Sequence, residues 1–217
     1  MNVRAAVFDQ HGVLCRLDSQ AVREFFRPLV PLPLSELSRR IEHWAGAQAA
    51  RTREPSVALW EEFWRELCRE FGLPEPHYEK LRRFRYHDYC YAYPDALEGL
   101  ALVRRRGMRV GVLSNMPFAT LEGSLESLGF GGLLDAVVVP QVSSESKPAP
   151  GAYHTAARRL GVLPEECLFF DDENENVAGA QAVGMRAYLV DRTGSDQALG
   201  ENVIRDLSAL EDLLTRL

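Results

Sequence analysis

"AAVFDQHGVL", residues 5–14, places Asp9 at the end of a short apolar run, with a histidine and a glycine two and three positions later. A nearly continuous apolar run that ends in a polar loop is typical of a buried strand. Such runs occur at residues 3–8, 109–114, 136–140, 167–170 and 186–190. They predict a parallel sheet that is covered on both faces, with Asp9 at a strand end.

Amphipathic segments separate these runs after residue 94. In "DALEGLALVRRRG" (95–107), apolar residues recur at helical spacing as far as Val103, and Asp95 stands where it can cap the first turn. Further helices are predicted in "GAYHTAARRLG" and "NVAGAQAVGM". Helices that alternate with buried strands predict an open, doubly wound α/β fold.

Residues 16–90 break this alternation. The segments "AVREFFRPLV", "LSELSRRIEHWAGAQAA" and "SVALWEEFWRELCREFG" are amphipathic, and no convincing strand interrupts them. The pattern predicts an all-helical insert over 16–90, between core segments 1–15 and 91–217. Aromatic residues supply its predicted hydrophobic stripe, namely Phe25, Phe26, Trp44, Trp60, Phe63 and Trp64.

The composition argues against several kinds of partner. The 217 residues carry a formal net charge of -6, which disfavours nucleic acid because phosphate backbones are bound by clustered Lys and Arg. No apolar run approaches the roughly 18 residues that span a bilayer, and the first acid comes too early for a signal peptide. We therefore expect a cytoplasmic protein without a nucleic-acid or membrane partner. The four cysteines include no C-x-x-C pair and are predicted to be buried thiols rather than disulfides or a zinc knuckle.

Polar residues follow the predicted strands at the edge where an open parallel sheet binds its ligands. An acid, a hydroxyl, an ammonium and two further acids meet there. A phosphate dianion repels an attacking carboxylate, so a hard cation and a lysine must first neutralise its oxygens. These residue types therefore predict a magnesium-assisted phosphoryl-transfer site. The candidates are Asp9, His11, Ser114, Asn115, Lys147, Asp171 and Asp172.

Four motifs, in this order, resemble those of the haloacid dehalogenase-like hydrolase superfamily. "VFDQHGVL" (7–14) resembles the first, whose leading Asp is the nucleophile, and "GVLSNMP" (111–117) resembles the second, a hydrophobic strand that ends in Ser or Thr. "SSESKPAPGAYHTAARRLG" (143–161) resembles the third, with a lysine before its helix, and "CLFFDDENENVAGAQAVGM" (167–185) resembles the acidic fourth. The resemblance covers essentially the whole chain. It implies a Rossmann-like core with the insert as a helical cap over the substrate.

The resemblance also implies an activity and a metal. The expected enzyme is a Mg²⁺-dependent phosphatase that acts on a small phosphorylated metabolite through an aspartyl-phosphate on Asp9. Asp9 would also bind the metal, together with the backbone carbonyl of His11. Asp172 would be the acidic ligand from the fourth motif, with Asp171 supporting it or sharing that role.

The remaining candidate residues would bind the phosphate group. By the same resemblance, Ser114 and Asn115 hold phosphate oxygens, and Lys147 steadies both the phosphate and the nucleophile. The expected partner is therefore a small phosphorylated molecule. The sequence leaves open a homodimer formed through the cap.

His11 departs from the pattern of the phosphatases, which usually carry a second Asp two positions after the nucleophile. Three interpretations follow. In the first, His11 takes over the acid and base role, which contributes roughly 10²- to 10⁴-fold in rate. In the second, the chain is a dehalogenase, a class of the superfamily that lacks both the second Asp and the metal. In the third, the site is degenerate and the protein is a binding module. The retained pair Asp171 and Asp172 argues against a metal-free dehalogenase.

Overall fold

The computed structural model describes residues 3–49, 57–115, 121–139, 146–194 and 202–216. Its strands are β1 (Ala5–Phe8), β2 (Cys15–Leu17), β3 (Cys90–Ala92), β4 (Arg109–Leu113), β5 (Ala136–Val138), β6 (Cys167–Asp171), β7 (Arg186–Val190) and β8 (Val203–Ile204). Its helices are α1 (Ser19–Phe26), α2 (Leu34–Ala49), α3 (Val57–Glu70), α4 (Glu75–Leu81), α5 (Ala96–Arg105), α6 (Leu121–Ser127), α7 (Pro150–Arg159), α8 (Asn174–Ala182) and α9 (Leu210–Thr215). Within the described ranges, no helix has the length and apolar character needed to cross a membrane.

A six-stranded sheet in the order β5-β4-β1-β6-β7-β8 forms the core, and its neighbouring strands are parallel. β1 is central, and all four of its residues are fully buried. Alternate residues of a strand point to opposite faces. Ala6 and Phe8 accordingly pack in one cluster with residues of α5 and α9, whereas Ala5 and Val7 pack in another with residues of α7 and α8. The predicted α/β core with a parallel, doubly covered sheet is confirmed.

The helices α1 to α4 lie between β2 and β3 along the chain and have their own hydrophobic cluster. All six aromatic residues predicted to form the stripe pack in it. Trp64, for example, is only 4% exposed and stacks on Phe26 at a centroid distance of 5.6 Å. Aromatic pairs of this kind stabilise a cluster beyond the area that they bury.

The prediction that no strand interrupts residues 16–90 is wrong at both ends of that segment. β2 and β3 pair antiparallel, with Cys15 opposite Ala92 and Leu17 opposite Cys90. The pair joins the start of the helical segment to its end. Each strand has three residues, too few for alternation to distinguish them from loop. The edge strand β8, with two residues, also escaped prediction.

Asp95 stands at the N-terminus of α5, as predicted, but its side chain makes no capping hydrogen bond. Its carboxylate instead accepts two hydrogen bonds from Arg192, of 2.9 and 2.8 Å, and a third from the backbone N–H of Leu207. Arg192 also donates to the carbonyls of Gly12 and Val13. Asp95 therefore anchors the loop that follows β1, a role that no local pattern indicates.

Candidate active site

The candidate residues meet at the carboxyl edge of the sheet. β4, β1 and β6 are adjacent and parallel, so Ser114, Asp9 and Asp171 lie at one edge, and Lys147 reaches them from the segment before α7. All four residues are at most 9% exposed. The structure therefore brings together polar groups from segments that extend from position 9 to position 171 of the sequence.

The ammonium of Lys147 lies between two carboxylates. Its Nζ donates to Oδ1 of Asp9 at 2.5 Å and to Oδ2 of Asp171 at 2.7 Å. A buried charge needs such partners, because an unpaired ion is costly in a medium of low polarity. Burial lowers the pKa of Lys147, but the two carboxylates outweigh that effect and raise it. The lysine is therefore held in its charged form.

Asp9 has a raised pKa of about 6. Burial is the main cause, the nearby charge of Asp171 adds to it, and Lys147 opposes it. A carboxylate with this pKa is ionised for the most part at neutral pH, as a nucleophile must be. Additional positive charge beside it would favour the ionised form further.

Both oxygens of Asp171 are engaged. Oδ2 binds Lys147, and Oδ1 accepts from the backbone N–H of Glu173 at 2.9 Å and from the amide of Asn176 at 3.0 Å. These contacts fix the carboxylate against the start of α8. Asn176 was not singled out from the sequence, since an Asn within a helix usually gives no indication of which loop it contacts.

Asp172 lies over the loop that follows Asp9. Gly12 has a φ of +75°, and a Cβ at that position would overlap the Asp172 carboxylate. Only glycine allows both this backbone conformation and this close approach. Asp172 is exposed to solvent on one side. Its pKa is nevertheless raised, because its surroundings desolvate it and Asp171 repels its charge.

Asp9 and Asp171 contact the ammonium of Lys147, and Asp172 adds a third carboxylate beside Gly12. Burial is the main cause of the raised pKa values of Asp9 and Asp172, and repulsion from Asp171 adds to it in both. A hard divalent cation would offset the negative charge of these carboxylates, and Mg²⁺ prefers carboxylate and carbonyl oxygens as ligands. The donor set therefore fits Mg²⁺.

His11 contacts a tyrosine from the far end of the helical segment. The hydroxyl of Tyr86 lies 2.5 Å from Nε2 of His11, and the two rings meet edge to face. Either group can donate this hydrogen bond, depending on which ring nitrogen carries the proton. Tyr86 was missed from the sequence because it is 75 positions away and belongs to no motif.

Two cysteines lie beside this histidine. The Cys90 thiol is 3.8 Å from Nε2 of His11. A hydrogen bond from Cys15 lowers the pKa of Cys90 to about 5, although burial opposes this effect. The same hydrogen bond raises the pKa of Cys15, and burial raises it further. All four cysteines are buried and free, as predicted. The proximity of Cys15 to Cys90 was not foreseen, since 75 residues separate them.

Comparison with known proteins agrees with this geometry. A family model described as haloacid dehalogenase-like hydrolase matches residues 3–184. The chain belongs to the haloacid dehalogenase-like hydrolase family. The resemblance inferred from the four motifs is confirmed, and the protein is a hydrolase by its family.

Full-length relatives of this hydrolase carry two kinds of name. Phosphatase MT3486 of Mycobacterium tuberculosis (strain CDC 1551 / Oshkosh) is 38% identical over 99% of this chain and 98% of its own length. (S)-2-haloacid dehalogenase 1 of Pseudomonas sp. (strain CBS-3) is 28% identical over 99% of this chain and 98% of its own length. A HAD phosphatase structure from Thermococcus onnurineus matches the fold with a TM-score of 0.67, at 24% identity over 98% of each chain. Phosphatases and dehalogenases are therefore both among the relatives.

Proposed function

We propose that this hydrolase is a Mg²⁺-dependent phosphatase that acts on a small phosphorylated molecule and uses Asp9 as its nucleophile. The observation that supports it most is the charge arrangement: Asp9 and Asp171 share the ammonium of Lys147, and Asp172 adds a third carboxylate beside Gly12. Such a site attracts a cation, and with the cation bound it can accept a phosphate dianion. The free thiols favour a reducing compartment, the cytoplasm.

The proposed metal ligands are Asp9, Asp172 and the backbone carbonyl of His11. Asp171 is the less suitable ligand because its two oxygens already bind Lys147, Glu173 and Asn176. When bound, the ion would neutralise phosphate oxygens and so lower the repulsion that the nucleophile meets. Asp171 instead orients the lysine.

The chain's own groups account for the proposed transfer step. An oxygen of Asp9 attacks phosphorus, the bond from phosphorus to the leaving oxygen breaks, and an acyl-phosphate forms on Asp9. Water then attacks that phosphorus, which releases phosphate and regenerates the carboxylate. Lys147, which donates to Asp9 in the resting protein, is the proposed donor to a phosphate oxygen as charge develops. Ser114, buried after β4, is the proposed second donor.

His11 is the proposed acid and base. The leaving oxygen needs a proton in the first step, and the attacking water must lose one in the second. Imidazole can do both near neutral pH. The contact between His11 and Tyr86 holds the ring in one orientation, which a proton-transfer group requires.

Dehalogenation is the second candidate function, because a haloacid dehalogenase is among the full-length relatives. In that reaction Asp9 would attack carbon instead of phosphorus, and halide would leave. The three clustered carboxylates disfavour it, since without a cation they would repel a haloacid anion. A binding module without turnover is the third alternative.

One experiment separates the three. The purified protein is assayed for phosphate release from an aryl phosphate and for halide release from a 2-haloacid, each with Mg²⁺ and with a chelator. We expect phosphate release that the chelator abolishes. Halide release at the same rate with and without the chelator would instead establish a dehalogenase. Inactivity over a broad substrate screen would favour a binding module.

The nucleophile is tested by Asp9→Asn, which removes the charge but keeps the shape. We expect loss of turnover by more than about 10⁴-fold, as for other covalent nucleophiles. Asp88→Asn is the matched control, because Asp88 is an exposed acid on the turn before β3. Retained activity in Asp9→Asn would refute the assignment.

A further inference from the structure

A compact group of nitrogen and sulfur atoms lies next to the nucleophile loop. Nε2 or Nδ1 of His11, Sγ of Cys15 and Sγ of Cys90 can be chosen so that all three lie within 4.8 Å of one another. The distance from Cys90 Sγ to His11 Nε2 is 3.8 Å. Cys15 is fully buried and Cys90 is 6% exposed, whereas His11 is only half-buried.

The backbone holds this group together. Cys15 and Cys90 lie on the paired strands β2 and β3, in positions diagonal to each other. A bridge between His11 and Cys15 ties the loop after β1 to the same ladder. The three side chains therefore converge through the pairing of the backbone segments that carry them.

The spacing fits a tetrahedral ion. Zinc binds sulfur at about 2.3 Å and histidine nitrogen at about 2.0 Å, so ligand atoms around it are roughly 3.5–3.8 Å apart. The distance from Cys90 Sγ to His11 Nε2, 3.8 Å, is at the upper end of this range, and the three ligand atoms lie within 4.8 Å of one another, so they would move closer together as an ion binds. Two thiolates and an imidazole with one open position are a ligand set known for zinc.

A buried and unsatisfied side chain provides a second observation. Gln10, between Asp9 and His11 in the sequence, is fully buried. Apart from the Cys15 thiol, whose pKa it lowers, neither polar atom of its amide has a hydrogen-bond partner among the described residues. Such a group is costly to bury. Because the Gln10 side chain lies against the Cys15 thiol, this unsatisfied amide is next to the proposed ligands.

We propose that His11, Cys15 and Cys90 form a second metal site, for a borderline-soft divalent cation of the Zn²⁺ type. The Tyr86 hydroxyl, now at Nε2 of His11, moves aside or takes the fourth position. The ligand chemistry separates this site from the Mg²⁺ site, since thiolates select zinc-like ions and carboxylates select magnesium. Each thiol loses its proton to solvent as the ion binds.

Occupation of this site has one consequence that rests on the proposed function. An ion bound at Nε2 takes up the lone pair that His11 needs as a base. The same residue then either transfers protons or binds the soft cation. The site itself does not depend on the phosphatase assignment, because its ligands, apart from His11, have no part in the hydrolysis.

Cobalt substitution tests the site without a substrate. The metal-free, reduced protein is titrated with Co²⁺ alone, followed by displacement with Zn²⁺ in competition with a chromophoric chelator. We expect a near-ultraviolet sulfur-to-cobalt band, intense visible bands of a tetrahedral ion and a stoichiometry of one. Mg²⁺ in excess should not displace the ion. Failure of the hydrolase assays would leave this result unchanged.

Variants assign the ligands. Cys90→Ser and His11→Ala should each weaken Zn²⁺ binding more than about 100-fold, beyond the 10- to 100-fold typical of outer contacts. Cys68→Ser is the control, because this free, buried thiol belongs to the cluster of the helical segment and not to the group around His11. Absence of the sulfur-to-cobalt band, or equal affinity in Cys90→Ser and Cys68→Ser, would overturn the proposal. Circular dichroism establishes that each variant is folded.

Discussion

The side-chain amide of Asn115 exchanges two hydrogen bonds, each 2.8 Å long, with the backbone of Lys147. Its Nδ2 donates to the carbonyl, and its Oδ1 accepts from the N–H. These bonds fix the loop after β4 to the segment before α7. They also fix the backbone of Lys147, whose side chain contacts Asp9 and Asp171. Asn115 thus positions Lys147, while the phosphate contact expected of it from the sequence stays a prediction.

Asn115→Ala should release the backbone of Lys147. Two hydrogen bonds are lost, each contributing about 1 kcal/mol to stability, and the ammonium is no longer held at 2.5 Å from Asp9. We expect kcat for an aryl phosphate to fall about 10- to 100-fold with little change in KM. A rise in KM at constant kcat would indicate direct phosphate binding. Asn202→Ala, beside the edge strand β8, serves as the control and should match the parent.

Lys147→Met should destabilise the protein and abolish turnover. The change leaves Asp9 and Asp171 buried without their shared cation, and breaking a buried pair costs about 3–5 kcal/mol. Asp9 has a raised pKa of about 6 even though Lys147 lowers it, so removal of the ammonium should raise that pKa further. The loss of stability should therefore be largest at the high end of the pH range and shrink as the pH falls towards 6, because Asp9 then becomes protonated in the folded state of both proteins. Urea unfolding between pH 5 and pH 8 measures this trend.

Lys80→Met is the control for that substitution, because Lys80 is an exposed residue of α4. Its free energy of unfolding should stay within about 0.5 kcal/mol of the parent value at every pH. A Lys147→Met protein as stable as the Lys80→Met protein at pH 8 would show that the two carboxylates do not depend on the ammonium.

The core of the fold was predictable because its strands are short apolar runs that contrast with their surroundings. β7 was predicted with the observed bounds, Arg186–Val190. β5 ends at Val138, two residues before the predicted end, and Pro140 is outside the described residues. β2 and β3 were missed because their pairing depends on two segments 75 residues apart and not on local alternation.

The site was predictable where a residue follows a strand directly or, as with Lys147, belongs to a motif that resembles the family's. Asp9 and Asp171 could be found in this way. Asn176 and Tyr86 reach the site from a helix and from a distant turn, so tertiary packing alone places them. Asp95 shows a different limit, because a local pattern predicted a contact that tertiary structure replaces. An acid at the start of a helix was expected to cap it, but the carboxylate of Asp95 forms an ion pair with Arg192 instead.

Asp95→Asn should weaken the anchor of the loop after β1. Burial raises the pKa of Asp95, but hydrogen bonds from Arg192 and from the backbone of Leu207 outweigh this and lower it. A carboxyl with a lowered pKa adds stability above its unfolded pKa and loses that contribution as the pH falls towards the folded value. We expect about 2–3 kcal/mol less stability at pH 7, since the pair is mostly buried.

The difference between Asp95→Asn and the parent should narrow below pH 3.8, the ordinary pKa of this carboxyl. Asp88→Asn, which changes an exposed acid, should cost less than about 0.5 kcal/mol at every pH. Urea unfolding of the three proteins at pH 7 and at a series of pH values below 3.8 tests both statements. A constant difference across this range would rule out the ion pair as its source.

His11→Ala should lower turnover by an amount that depends on the leaving group. A proton donor matters most when a poor leaving group departs, and its removal typically costs 10²- to 10⁴-fold. We expect a loss of about 10³-fold for an alkyl phosphate and a much smaller one for a nitrophenyl phosphate. Tyr86→Phe, which keeps the ring but removes the hydroxyl that contacts Nε2, should show the same dependence in weaker form. Equal losses of kcat/KM for both substrates would mean that His11 orients other groups and transfers no proton.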